Sequence, residues 1–427
     1  MLKLNRLDQF LEQTENEIWD FPRILPIDDT VTKCDYITVY EDNHSNGDLA
    51  NATEFSYTTD NLDIWLHPSE SYLLVNLKLT DENGAFFPAE TNISLESNGF
   101  NIFSEGRLFL GDEEVERIDH VGVSTMLYNL TQLTFSEVNV IREAQLVDIT
   151  PSTNRDYIVK NCGGSIELLL PIRKIFPFYH EMRFAMRGMK HRICLTLNQQ
   201  NKMVIKWAEG NVAAPANGKV TINKMVWRIP QVEPSLQTLA KLENLFARDS
   251  TYNMKWIAQS VLKFMPPKTS EIRVPIACSI HRPTHIFVTF QKIERDTDQT
   301  ASSMQFDNMS VSEIWAEVNS QNFPNKPMTC NFTTKAVQEV YNAFLKACKG
   351  SLSWEESYLN FIKMFPFFHI DVSQHPAEIF DNSSFPNIII NTKFRAVPAR
   401  DYIMYVIIFN IRELKMNVLN KRMIISK

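Results

Sequence analysis

Between positions 73 and 80, Leu73, Val75, Leu77 and Leu79 alternate with Leu74, Asn76, Lys78 and Thr80. Alternation of period two is the mark of a strand that buries one face. Asp81-Glu82-Asn83-Gly84 follows with the residue types of a tight turn. Further short strands are expected at 100–103, 107–110, 145–149, 165–170, 192–197, 203–207 and 220–229. Asn98-Gly99 and Gly111-Asp112 supply turn signals among them. One segment breaks the rhythm: Val123, Met126, Leu127 and Leu130 recur at helical spacing.

The stretch 217–246 organises the chain. An Asn-Gly turn leads into the strand at 220–229, Pro230 and Pro234 bracket an exit, and Leu236, Leu239, Leu242, Leu245 and Phe246 outline a short amphipathic helix. Beyond Thr251 the strand grammar starts again. Ile272, Val274, Ile276, Cys278 and Ile280 share a face despite Pro275, which favours an edge position. Strands at 285–293 and 311–318 come next, then a proline-rich turn at Pro324 and Pro327. Val337, Val340, Tyr341, Phe344 and Leu345 then form a second interrupting helix. Strands at 387–394, 401–411 and 422–425 close the half.

Many short strands, regular turns and one helix per half point to an all-β protein of two consecutive jelly-roll β-sandwiches with a short connecting helix. The expected division is an N-terminal arm over 1–60 with a brief strand at 36–40, a first jelly roll over 61–232, a connecting helix and linker over 233–262, and a second jelly roll over 263–427.

The 427 residues suffice for about two domains. Forty-four per cent apolar residues and only 12 glycines argue for packed cores rather than flexible linkers. A net charge of -7 disfavours nucleic-acid attraction over the whole surface, so any contact with polyanions must be local. The six cysteines show no C-x-x-C spacing, and Met1-Leu2-Lys3-Leu4-Asn5 runs into charge rather than an apolar leader. Zinc, a disulfide framework and secretion through a signal peptide are therefore not expected. The apolar run at 402–409 falls far short of the roughly 20 residues that span a bilayer.

Candidate chemistry is sparse. His281 and His285 flank Pro283 at a strand start, where residues four apart lie about 13 Å from each other, too far to share one ion. Cys162-Gly163-Gly164 has the form of a nucleophile on a loop but has no recognisable histidine motif to serve it. Asp112, Glu113, Glu114 and Glu116, with Glu355 and Glu356, supply carboxylates for glycoside hydrolysis, although turns rich in acids are more often solvated faces. Basic residues gather at 187–192 and in the tail, at Lys415, Lys421, Arg422 and Lys427. The aromatics Phe367, Phe368 and 176–179 read as core or interface. No phosphate-binding loop, dinucleotide fingerprint or nucleophile elbow is present in the sequence.

The run FPFYHEMRFAMRGMKHRICLTLN at 176–198, followed by GKVTINKMVWRIPQVEPSL at 218–236, resembles the end of the first jelly roll in double-jelly-roll major capsid proteins of the adintovirus and Polinton (Maverick) type. SYLLVNLKLTDENG, FNIFSEGRLFLGDEE, IHRPTHIFVTFQK and IWAEVNSQNFP fall in the order that resemblance requires, over about 60–427. It implies a structural protein, not an enzyme, that forms homotrimers whose six sandwiches make pseudo-hexagonal tiles of an icosahedral shell. Penton or minor capsid proteins would be further partners, and the virion its location, with assembly inside the host cell. It carries over no catalytic, cofactor-binding or metal residues. Two rivals stay open at this point: a two-domain β-sandwich glycoside hydrolase, and a carbohydrate-binding protein of the same architecture.

Overall fold

The structure, a computed structural model, describes residues 30–42, 54–59, 63–81, 83–86, 93–132, 165–198, 205–207, 218–248, 251–277, 280–298, 301–348, 357–373, 386–417 and 423–426. Eight strands make the first sandwich: β1 (Val31–Val39), β2 (Glu54–Thr58), β3 (Tyr72–Asp81), β4 (Phe103–Leu110), β5 (Glu113–Asp119), β6 (Ser165–Pro171), β7 (His191–Leu197) and β8 (Gly218–Pro234). Eight more make the second: β9 (Thr251–Phe264), β10 (Glu271–Ile276), β11 (Pro283–Lys292), β12 (Val311–Val318), β13 (Gln321–Thr329), β14 (Phe368–Asp371), β15 (Ile388–Phe394) and β16 (Tyr402–Asn417).

The sheets of the first sandwich run β1-β8-β3-β6, with the short strand Trp65–Leu66 also on β8, and β2-β7-β4-β5; those of the second run β9-β16-β11-β14, with Met423–Ser426 also on β16, and β10-β15-β12-β13. Adding eight to each strand number of the first pair reproduces the second pair. Every pairing among these strands is antiparallel. This is one jelly-roll topology written twice.

The alternation in β3 works as the pattern predicts. Leu73, Val75, Leu77 and Leu79 are fully buried in the first core, while Lys78 faces solvent. The turn after β3 forms because Asp81 Oδ1 accepts hydrogen bonds from the Asn83 and Ala85 amides and Gly84 takes a φ of +84°. Helix α1 (Val121–Gln132) lies between β5 and β6, and α3 (Gln338–Ala347) lies between β13 and β14, the corresponding place in the second sandwich. Helix α2 (Leu236–Arg248) connects the halves, and α4 (Ser357–Lys363) precedes β14.

Several expectations change. The residues read as an arm over 1–60 include β1 and β2, and β1 pairs with β8 from Val31↔Pro234 to Val39↔Trp227. Polar composition hid these strands because the exposed edge of a sheet tolerates polar residues. The segment at 100–103 is a 3₁₀ turn up to Ile102 rather than a strand; Gly99, at φ +89°, redirects the chain, and a Cβ there would lie 2.5 Å from Leu168 Cδ1.

Prolines are the other source of difference. Pro230 does not end a strand but lies inside β8, which runs on to its last residue, Pro234. Its neighbour on one side changes from β3, ending at Tyr72↔Arg228, to the short strand Trp65–Leu66, starting at Gln231↔Leu66. Pro230 sits at that changeover, where its missing N–H breaks no ladder bond with either partner. Pro324 and Pro327 likewise lie within β13, an edge strand, rather than in a turn. Pro275 does occupy an edge strand, β10, as its position predicts. The strand expected at 145–149 lies outside the described residues.

Candidate functional site

An assembly of polar and aromatic groups lies where the two rolls meet. Three residues of α1, Val123, Leu127 and Leu130, leave their own sandwich and join the core of the second. In return, Met254, Trp256, Ala258, Leu414 and Met416, on β9 and β16, join the core of the first. This exchange follows from strand length. β9 and β16 pair over fourteen residues, from Thr251↔Asn417 to Phe264↔Met404, and so extend past their own sandwich on to its neighbour.

Directional contacts pin the apolar exchange. Ser124 Oγ donates to Gln259 Oε1 at 2.6 Å, Asn101 Nδ2 donates to Ser303 Oγ at 3.2 Å, and Arg412 Nη1 donates to the Val115 carbonyl at 3.1 Å. The ring of His120 meets Tyr405 edge-on at 5.7 Å, and Phe178 meets Trp256 edge-on at 5.1 Å. The polar partners Asn101, Ser124, Gln259 and Ser303 are themselves buried. Each would be costly without its mate, so the contact has a single register.

Glu116 sits at the centre of this contact. Its carboxylate accepts from the Phe178 amide at 3.0 Å, with Arg412 and the indole of Trp256 close by. Burial dominates and pushes its pKa up to about 7; the Phe178 amide, Arg412 and Trp256 pull weakly the other way. Glu116 Oε1 and Trp256 Nε1 complete no hydrogen bond of ordinary geometry. None of the groups acting on Glu116 is a second carboxylate, and the residue lies in a packed contact rather than a cleft. Asp112, Glu113 and Glu114 are exposed around the β4–β5 turn.

The other sequence candidates disperse. His285 does not pair with His281; its Nδ1 lies 3.1 Å from His369 Nε2 and 3.7 Å from Asp371 Oδ1, both reached across the β11–β14 pairing. His369 Nδ1 lies 2.7 Å from the Ala343 carbonyl, which can only accept. Nδ1 therefore carries the proton, and the Nε2 of neutral His369 accepts from His285. Burial pushes His369 down to about 4. Among the described residues no group of three His, Cys, Asp or Glu side chains is placed to hold a metal ion.

The basic run at 187–192 is not one patch. Arg187 lies 3.8 Å from Asp63, Arg192 covers the Phe109 ring at 4.1 Å, and His191 is fully buried 3.0 Å from the Tyr179 hydroxyl. Lys415 pairs with Glu413 at 3.7 Å. Phe176, Phe178, Tyr179, Phe367 and Phe368 are core residues, as their pattern suggests. Cys162-Gly163-Gly164, Glu355, Glu356, Lys421, Arg422 and Lys427 lie outside the described residues. Glu116 was visible only as one acid in a run, and its partners at 178, 256 and 412 carry no local signal that would link them to it.

A second feature is a cavity of about 560 Å³ beneath α2, walled by Trp65, Phe184, Val232, Leu239, Leu242 and Met416 among others. The helix forms as its spacing predicts, with Ser235 Oγ accepting from the Thr238 amide at its start. Its apolar face is only partly used, since Leu236 and Leu245 remain 86% and 56% exposed.

Comparison with known proteins places this architecture. A family model described as a double jelly roll-like domain matches residues 94–412. The fold is similar to that of the mavirus major capsid protein, with a TM-score of 0.57 and 10% identity, covering 97% of this chain and 93% of that one. It is similar to the chain of the Sputnik virophage structure, at 0.60 and 8%, covering 97% and 92%. It is also similar to the Faustovirus major capsid protein, at 0.55 and 8%, covering 93% and 92%. No curated protein sequence matches the chain.

Proposed function

Because this chain belongs to the double jelly roll-like domain family, we propose that it is a structural capsid protein that works by stacking against copies of itself. The observation that carries the reading is the repeated strand order, with two rolls locked by reciprocal exchange of core residues. A tile needs rigid blocks and broad sides. The viral capsid proteins that share the fold do so over more than nine-tenths of either chain. The contact around Glu116, Trp256 and Arg412 is the packed joint of such a block, not a reaction site.

In its finer form the proposal has three chains presenting six rolls as a pseudo-hexagonal tile of an icosahedral shell, in a virus or virus-like transposon of the adintovirus or Polinton type. Penton or minor capsid proteins would complete the shell, and contact with DNA would be weak. The virion is the proposed location. Among the described residues no helix is long and apolar enough to cross a membrane. As units of the tile we propose a first roll that counts β1 and β2 with 61–232, a connector centred on α2, and a second roll from β9 onward.

Native mass spectrometry and light scattering at micromolar concentration test the reading. A trimer, or larger particles of regular curvature under electron microscopy, is the expected outcome. A chain that stays monomeric at every concentration and ionic strength would overturn it.

A further inference from the structure

Spacing along the chain joins His285 to His281, but the fold gives His285 another partner. In the β11–β14 pairing His285 stands opposite Asp371, and Phe287 stands opposite His369. Alternation along each strand turns all four side chains to one face of the sheet, and the diagonal from His285 to His369 is within reach of two imidazoles. Their facing nitrogens, His285 Nδ1 and His369 Nε2, lie 3.1 Å apart. Two nitrogens that share a tetrahedral ion at about 2.0 to 2.1 Å each are about 3.3 Å from one another. The two rings therefore need to part only slightly to hold one ion between them.

Three further contacts prepare the pair. The Ala343 carbonyl of α3, 2.7 Å from His369 Nδ1, keeps the proton on that nitrogen and the lone pair on Nε2. A backbone carbonyl on the second ring nitrogen is the common companion of a metal-binding histidine. Phe287 lies against the His369 ring, with centroids 4.8 Å apart and planes inclined by 30°, and fixes its orientation. Asp371 places Oδ1 3.7 Å from His285 Nδ1, and the Ser373 amide and hydroxyl hold that oxygen at 2.9 and 2.6 Å. Access differs between the two rings. His369 is buried, whereas the His285 side chain is 31% exposed and opens the pair to solvent. A neutral His285 frees its Nδ1 lone pair by carrying its proton on Nε2 instead, with no change in charge.

We propose that His285 and His369 form a two-imidazole chelate for one divalent transition ion of the zinc class, with water in the remaining positions and the Asp371 carboxylate accepting a hydrogen bond from a bound water. Imidazole nitrogen suits such ions, whereas calcium and magnesium take oxygen donors. Asp371 balances the charge from outside, because Ser373 already engages its Oδ1. The ion ties β14, a four-residue strand at the edge of its sheet, to β11 and, through Ala343, to α3. A strand with so few ladder bonds gains most from a staple. The site is structural, and its existence does not depend on the oligomeric state of the chain.

Titration of the full chain with Zn²⁺, followed by imidazole resonances in NMR and by calorimetry, tests this. Expected are one saturable equivalent that moves the His285 and His369 signals together, no such movement with Mg²⁺ in excess, and a thermal midpoint that rises with Zn²⁺. His285→Gln, at a half-exposed position, should keep the metal-free fold and abolish both the shift at His369 and the thermal gain. Asp371→Asn should weaken binding about tenfold. Other histidines and thiols give Zn²⁺ further places to bind, so the deciding comparison is wild type against His285→Gln. If that variant fails to fold, the wild-type resonances decide alone. Zn²⁺ that leaves the His285 and His369 signals unmoved, or that binds and stabilises folded His285→Gln as well as wild type, would overturn the proposal.

Discussion

The Ser124 hydroxyl donates to the side-chain oxygen of Gln259 at 2.6 Å, joining α1 of the first roll to β9 of the second. Both residues are buried, at 2% and 3% exposure. Removing either partner strands the other without water. Ser124→Ala is expected to lower stability by about 1 to 3 kcal/mol. Gln259→Leu combined with Ser124→Ala should cost less than the sum of the single changes. Denaturant midpoints of the four proteins in the cycle measure this, and strict additivity would mean that the bond does not couple the rolls.

Leu127 tests the reciprocal core. It belongs to α1 in the chain order of the first roll, yet it is fully buried in the core of the second. Leu127→Ala should cost about 2 to 5 kcal/mol, the range for buried leucine truncation. Because the loss falls on the joint, calorimetry should show a single unfolding transition splitting into two. A uniform downward shift of one transition would place Leu127 in an ordinary core instead.

Glu116 makes stability depend on pH in an unusual direction. Its folded pKa is raised from 4.5 to about 7, so between those values the folded state holds a proton that the unfolded state has released. Its contribution therefore favours folding as pH falls through 7 and is complete near 4.5. Above 7 the buried charge costs stability, on the order of 3 kcal/mol. Glu116→Gln should flatten stability against pH over this window and make the protein relatively more stable at pH 8. Thermal midpoints at pH 5 and pH 8 decide it; an unchanged slope would remove Glu116 as its source.

His369 acts in the opposite sense. Burial, followed by the nearby His285, holds its pKa down to about 4, while the Ala343 carbonyl and Asp371 pull upward. Below its ordinary value of 6.5 the unfolded chain takes up a proton that the folded chain refuses. The stability it supports is thus present above pH 6.5 and is lost as pH falls toward 4. His369→Gln should reduce acid sensitivity in that range. Imidazole resonances followed by NMR would show His369 still neutral at pH 5.5; a midpoint near 6.5 would contradict the buried pair.

Much of the architecture could be read from local pattern. Leu73, Val75, Leu77 and Leu79 announce a strand with one dry face, and the spacing at 123–130 and 337–345 announces the interrupting helices. These signals survive because period and turn chemistry are properties of neighbours in sequence. β1 was legible only as a short strand at 36–40, because its long register depends on β8, nearly two hundred residues away.

The sequence by itself determined that this chain alternates short strands and turns twice over, with a helix in each half. The strand order, the extension of β8 through Pro230 to Pro234, and the joint between the rolls were decided only in three dimensions. Glu116 meets Phe178, Trp256 and Arg412 because strands from both halves converge there. His285 meets His369 rather than His281 because β11 pairs with β14 inside the second roll. Neither encounter leaves a trace in spacing, since pairing partners in a jelly roll are set by which sheet each strand returns to, and that choice is made by burial of the whole core.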